Sequence, residues 1–172
     1  MYQRAQKMVK MKPLPWTAAR PLDTFKPDKE NRMSYWLAKS DPEAYGWSDL
    51  VRDGKTTWDG VRNYKARNFI RSMKPGDIAL FYHSGKEKSV VGAMKILSEP
   101  YRDNTAEEEI WSAVDVAPAW TLKNPVPLSR IKSEPSLRGI HLVREGRLSV
   151  MPLEKEAFQT IVSLGGGSTA LS

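Results

Sequence analysis

The sequence predicts an α+β domain, a small, mixed and partly open β-barrel of about five to six strands with flanking helices. Three observations carry this reading. Short apolar runs with aromatic and β-branched content recur between turn dipeptides, which suits a small barrel. One stretch, 64–73, places Ala66, Phe69, Ile70 and Met73 at the i, i+3, i+4, i+7 spacing of a single helical face. The length of 172 residues, 40% apolar and 27% charged, suits one domain plus appendages.

In chain order, Tyr35-Trp36-Leu37-Ala38-Lys39 reads as a strand stopped by the turn dipeptide Asp41-Pro42. Residues 48–52 form a brief helix with Ser48 as N-cap, closing at Asp53-Gly54. The amphipathic helix at 64–73 follows, ended by Pro75-Gly76-Asp77. Residues 78–82 and 90–97 are compact apolar runs joined by a loop at 85–88, which predicts an antiparallel hairpin of buried strands. Alternation over 111–116 suggests another strand. A helical turn at 128–133, a strand at 147–150 and an amphipathic helix at 153–164 complete the domain.

The termini differ from this middle. Residues 1–32 hold eight basic and three acidic residues, so that stretch is +5, whereas the remaining 140 carry 19 basic and 17 acidic, or +2, out of a total of +7. Residues 1–33 also contain four prolines and no helical or strand period. They read as a disordered basic tail, or as an extension ahead of a natural start at Met33; too little Ser and no clean amphipathic helix argue against a transit peptide. Residues 165–172, beginning Gly-Gly-Gly-Ser, read as a flexible exit.

Composition excludes several chemistries. The chain has no Cys, which removes disulfides, thiol nucleophiles and Cys-ligated metals, and only two His, so no metal site and no cofactor are expected. No apolar run approaches the ~18 residues of a membrane helix. Gly54-Lys55-Thr56 resembles the end of a phosphate-binding loop, but Asp49 stands where the motif needs Gly. His83, Ser84 and Asp115 lack a nucleophile elbow. The acids Asp103, Glu107, Glu108 and Glu109 read as a solvated loop.

Residues 58–84 hold the informative constellation. From Arg62 to Lys74 there are five basic residues and no acid. Arg62, Lys65, Arg67 and Arg71 are therefore candidate phosphate contacts, since guanidinium groups bind phosphate oxygens bidentately. Asn63 and Asn68 offer paired donor and acceptor atoms able to read a base edge, and the aromatic rings of the constellation offer flat faces for an unstacked base. Each has a structural alternative: Trp58 as core, Asn63 as helix N-cap, His83 as a satisfied buried histidine and the four cations as a solvated helix face.

Tyr35-Trp36-Leu37 with Lys39-Ser40-Asp41-Pro42, the run from Trp58 to Asn68, Gly76-Asp77, Phe81-Tyr82-His83-Ser84, Val91-Gly92, Trp111-Ser112-Ala113-Val114-Asp115 and Arg147-Leu148-Ser149-Val150 together resemble the EVE-domain family over residues 34–164. Asp41 and Tyr101-Arg102-Asp103 depart from the usual family pattern. The resemblance implies a PUA-like fold related to the YTH readers of methylated adenine. By that similarity Lys39 and Ser40 line a pocket entrance, Trp58 is a wall, Asn63 reads a base edge, and Tyr82, His83 and Ser84 form the opposite wall and floor. It further implies non-enzymatic binding of a modified base, including modified cytosine, in DNA or RNA. Two alternatives stand beside it: a small hydrolase of modified nucleosides using Lys39 with Ser40 or Ser84, and a protein-interaction module using residues 103–109 and the basic tail. A cytoplasmic monomer is expected, with nucleoid or nucleus as alternative locations.

Overall fold

A computed structural model describes residues 32–167. Most of the basic tail and the last five residues of the expected C-terminal exit lie outside them. Seven strands are present among the described residues: β1 (Tyr35–Ser40), β2 (Thr56–Trp58), β3 (Ile78–His83), β4 (Ser89–Ile96), β5 (Tyr101–Arg102), β6 (Ser112–Pro127) and β7 (Val150–Leu153). Six of them form one mixed sheet in the order β2-β6-β4-β3-β1-β7, and β5 pairs only with β6. The sheet curls into a half-barrel, so its end strands β2 and β7 leave an open seam. Five α-helices flank it: α1 (Trp47–Asp53), α2 (Tyr64–Arg71), α3 (Leu128–Ser133), α4 (His141–Arg144) and α5 (Lys155–Leu164). None is long and apolar enough to cross a membrane.

The centre follows from the most apolar run. Every residue of β3 is buried, because it lies between β1, which it joins in parallel, and β4, its antiparallel hairpin partner. A strand covered on both faces reads as a continuous apolar run rather than as alternation. Asp77, 2% exposed, ties the start of β3 to its neighbours: its carboxylate accepts from Trp36 Nε1 at 2.9 Å and from the amides of Ser34 and Lys74 at 3.0 Å. These hydrogen bonds satisfy the buried carboxylate, which makes the burial tolerable. On β4, a Cβ at Gly92 would lie 2.5 Å from the Trp47 indole, so only glycine lets α1 lay its tryptophan against the sheet.

Several boundaries differ from expectation, each for a local reason. Gly46, not Ser48, precedes α1, and the Asp49 carboxylate accepts from the Gly46 amide at 2.7 Å. The strand expected at 111–116 runs on to Pro127, its three prolines accommodated by two register shifts against β4. The strand expected at 147–150 starts only at Val150, because Leu148 N–H closes a turn onto the Glu145 carbonyl at 3.1 Å. Helix α5 begins at Lys155 rather than at 153, since Leu153 belongs to β7 and pairs with Tyr35. Strands β2 and β5 and helix α4 are additions to the expected elements. At the C-terminus, Gly165 is buried against β6 and its carbonyl accepts from Asn124 N–H at 3.0 Å.

Candidate functional site

A cavity of about 340 Å³ occupies the open seam. Thr56, Thr57 and Trp58 of β2 line one side, with Asp59, Gly60, Val61 and Arg62 continuing toward α2. Lys39 and Ser40, at the end of β1, and Ser149, just before β7, line the other, and Tyr45 completes it. In a closed barrel the two edges would hydrogen-bond to each other; here the gap between them leaves the cavity.

The two sides are built differently. On the β1/β7 side, Lys39 is half-buried, and its Nζ donates to the Gly146 carbonyl at 2.9 Å and lies 5.6 Å from the Tyr82 ring. Its backbone N–H donates to the Ser149 carbonyl at 2.9 Å. No carboxylate is bonded to the ammonium among the described residues, and burial lowers its pKa from the ordinary lysine value. Ser40 Oγ donates to the Tyr45 carbonyl at 2.6 Å.

On the β2/α2 side, Asp103 organises the wall. Expected in a solvated acidic loop, it is instead 0% exposed. Its carboxylate accepts from the Gly60 amide at 2.9 Å, Arg62 Nη1 at 2.8 Å, and the amide and hydroxyl of Thr105 at 2.8 and 2.5 Å. Burial alone would raise its pKa, but the hydrogen bonds from Thr105, Arg62 and Gly60 overcome that and hold it well below the usual carboxylate range. Gly60 has φ 75°, a conformation that favours glycine, and this bend brings its N–H to Asp103. Neighbouring Asp59 is shifted the opposite way, raised by burial and by the Asp103 charge against the pull of Arg62.

Of the expected pocket residues, Lys39, Ser40 and Trp58 line this cavity. Trp58 is 8% exposed and meets Phe81 edge-on at 5.4 Å, so it is both core and wall. Asn63, Tyr82, His83 and Ser84 lie outside the lining. Asn63 caps α2, its Oδ1 accepting from Ala66 N–H at 2.9 Å. Tyr82 and His83 are buried. His83 Nε2 accepts from Trp47 N–H at 3.0 Å, which leaves Nδ1 as the protonated nitrogen donating to Glu87 at 2.6 Å. Ser84 follows β3, and its amide donates to the Ser40 carbonyl at 2.9 Å.

The four expected phosphate contacts each have an internal partner. Arg62 bonds Asp103 and Thr105 and lies 5.7 Å from the Trp111 ring. Lys65 pairs with Glu145 at 2.7 Å, and Arg67 lies over the Tyr64 ring. Arg71 donates to the Ile110 carbonyl at 2.7 Å and to Ser112 Oγ at 3.0 Å. Sequence reasoning missed Tyr45, Thr56, Thr57, Asp59, Gly60, Val61 and Ser149. A β-branched Thr-Thr-Trp run after an Asp-Gly turn was the available signal for β2. Among the described residues no group of three or more His, Asp or Glu side chains is placed to hold a metal ion.

Comparison with known proteins agrees with this architecture. The EVE domain family model matches residues 34–164. Mouse thymocyte nuclear protein 1 is 39% identical over 175 aligned residues, covering 82% of this chain and 77% of its own. A crystal structure of human THYN1 protein in complex with 5-methylcytosine-containing DNA superposes with a TM-score of 0.74 at 36% identity, covering 79% of this chain and 99% of that one. An Agrobacterium tumefaciens protein, Atu2648, gives a TM-score of 0.77 at 37% identity over 79% and 95% of the two chains. With the matched segment spanning the entire half-barrel and its seam, the chain belongs to the EVE-domain family.

Proposed function

We propose that this protein binds DNA carrying a modified cytosine, without catalysis, and that the modified base enters the seam cavity. The observation that carries the reading is the cavity itself: about 340 Å³, with Trp58 among its lining residues on one side and Lys39 on the other. Ligand sites of about 300–1,000 Å³ with few convergent polar groups are the common form for small planar ligands. The similarity to a human protein crystallised with 5-methylcytosine-containing DNA supplies the ligand class.

In this reading the base leaves the duplex, at a cost of a few kcal/mol, and the interactions inside the seam offset it. Trp58 contributes an apolar wall, worth about 1–3 kcal/mol where a base stacks on an aromatic ring. Lys39 has donors beyond the one given to Gly146, and these suit the acceptor atoms of a cytosine edge. Thr56, Thr57 and Ser149 supply smaller polar groups. The Lys39 Nζ is held by the Gly146 carbonyl, and in this reading Lys39 serves as a hydrogen-bond donor to the base.

Binding of short duplexes with one 5-methylcytosine or one cytosine, and of the matching RNA, tests the reading. The wild type is expected to prefer the modified DNA, and Lys39→Met, which removes donors to an edge that both bases share, to bind both duplexes more weakly while retaining the fold. Equal affinity of the wild type for all three would reject it.

A further inference from the structure

The modified-base reading leaves open which residues hold the strand from which the base is taken. The basic residues along α2 are the obvious candidates by sequence, but their surroundings are electrically balanced. Arg62 bonds Asp103, and Arg67 and Arg71 reach the Ile110 carbonyl. These bonds fasten one end of the 103–110 loop to α2 and the other to Arg62, which precedes the helix. That loop carries Asp103, Glu107, Glu108 and Glu109, four carboxylates against the five cations Arg62, Lys65, Arg67, Arg71 and Arg102, the last 3.9 Å from Glu109. Lys65 is further neutralised by Glu145. A phosphate approaching this bank would meet exposed glutamates and would compete for guanidinium groups already hydrogen-bonded.

The segment that follows α4, which α2 touches through Lys65 and Glu145, has a different character beyond that pair. The segment after α4 is fixed to the cavity at two points, since Gly146 and Ser149 both accept from Lys39, through Nζ and through the backbone N–H. Arg147 lies between those two anchors and is exposed. Arg144, exposed at the end of α4, precedes Glu145, whose carboxylate is occupied by Lys65 and His141. Across the seam Lys55, also exposed, directly precedes the cavity-lining Thr56. Among the described residues the side chains of Lys55, Arg144 and Arg147 have no hydrogen-bond or ion-pair partner. Three uncommitted cations thus lie close in sequence to residues that line the cavity or are anchored to it: Lys55 beside Thr56, Arg147 between Gly146 and Ser149, and Arg144 two positions before Gly146.

We propose that Lys55, Arg144 and Arg147 bind the DNA backbone phosphates flanking the extruded base, and that the α2 cations are structural. The proposal rests on the modified-base reading for the position of the strand. A backbone phosphate takes two hydrogen bonds from a guanidinium, and an exposed side chain without a prior partner gives up little on binding it. Such binding releases counterions and shows itself in the salt dependence of affinity.

The experiment measures binding of 5-methylcytosine and cytosine duplexes across a salt series for the wild type, for Lys55→Gln/Arg144→Gln/Arg147→Gln, for Arg67→Gln/Arg71→Gln, and for the control Lys123→Gln/Lys155→Gln. Thermal unfolding checks that each is folded. The triple variant is expected to bind both duplexes more weakly, with the slope of log affinity against log salt shallower by about 1 for each phosphate that is no longer engaged. The Arg67/Arg71 and control variants are expected to keep the wild-type slope. An unchanged slope in the triple variant, an equal loss in the control, or a loss confined to the Arg67/Arg71 variant would overturn the assignment, as would absence of DNA binding by the wild type. Failure of the base reading looks different: equal wild-type affinity for the two duplexes, with the slope still dependent on Lys55, Arg144 and Arg147, rejects modified-base selection and supports the phosphate site.

Discussion

The two banks of the seam cavity carry similar basic chemistry and use it in opposite ways. On the β2/α2 side Arg62, Lys65 and Arg71 are knitted into the fold, Arg62 to a buried carboxylate, Lys65 to Glu145 and Arg71 to a main-chain carbonyl, while Lys55 is not. Lys39 is held at one side-chain donor only, and the exposed Arg144 and Arg147 of the segment it anchors have no partner among the described residues. Positive charge in a sequence is therefore not the same as charge available to a ligand. What separates the two is whether a remote segment brings a carboxylate or carbonyl to meet it.

The strongest way to break this contrast is to remove the keystone of the knitted bank. Asp103→Ala removes the buried acceptor of the Gly60 amide and of the partly exposed Arg62 guanidinium, and the stability loss should be about 1–3 kcal/mol in chemical denaturation. Because the folded-state pKa of Asp103 lies below its unfolded value, its contribution is complete above the ordinary carboxylate range and fades as pH falls below it. Asp103→Asn should accordingly flatten the acid limb of the stability profile.

A smaller effect, about 1 kcal/mol, is expected for Asn63→Ala, which deletes the α2 cap, while Asn63→Ser should recover most of the loss. If Asn63 also reads the base, Asn63→Ser would still lose discrimination between modified and plain duplexes, and a binding assay separates the two roles. On the open bank, burial lowers the Lys39 pKa, so its charge disappears at a lower pH than that of a surface lysine. Affinity for the modified duplex should decline early on the alkaline side, and Lys39→Arg should remove that decline. The smallest change belongs to Lys65→Ala: its pair with Glu145 is solvent-exposed, and calorimetry should find an unfolding temperature close to wild type.

Which parts of this molecule can be read from sequence follows from how local their causes are. Helix α2 announces itself through Ala66, Phe69 and Ile70 and a capping Asn63, and the β3–β4 hairpin through two apolar runs around a Gly-containing loop. Strand β6 is legible only to Val116, because Pro118, Pro125 and Pro127 argue locally against a strand and only the irregular pairing with β4 accommodates them. The site divides in the same manner. Lys39, Ser40 and Trp58 are recognisable from their motifs, whereas Ser149 reaches the cavity only because β7 pairs with β1. The basic run looks open in sequence because its partners are distant: Asp103 lies 41 positions from Arg62 and Glu145 lies 80 from Lys65. Asp103 itself has one local sign, Thr105 two residues on, the spacing at which an Asp side chain bonds the backbone ahead of it.

Whether the seam holds the modified base is tested most directly by the ratio of affinities for 5-methylcytosine and cytosine duplexes. The ratio is measured in the wild type and in Ser149→Leu, which fills the cavity from the β7 edge without touching the exposed cations. A base seated in the seam predicts a ratio above one for the wild type, falling to one in Ser149→Leu while affinity for the plain duplex stays near its wild-type value. A preference that survives the filled cavity would contradict it.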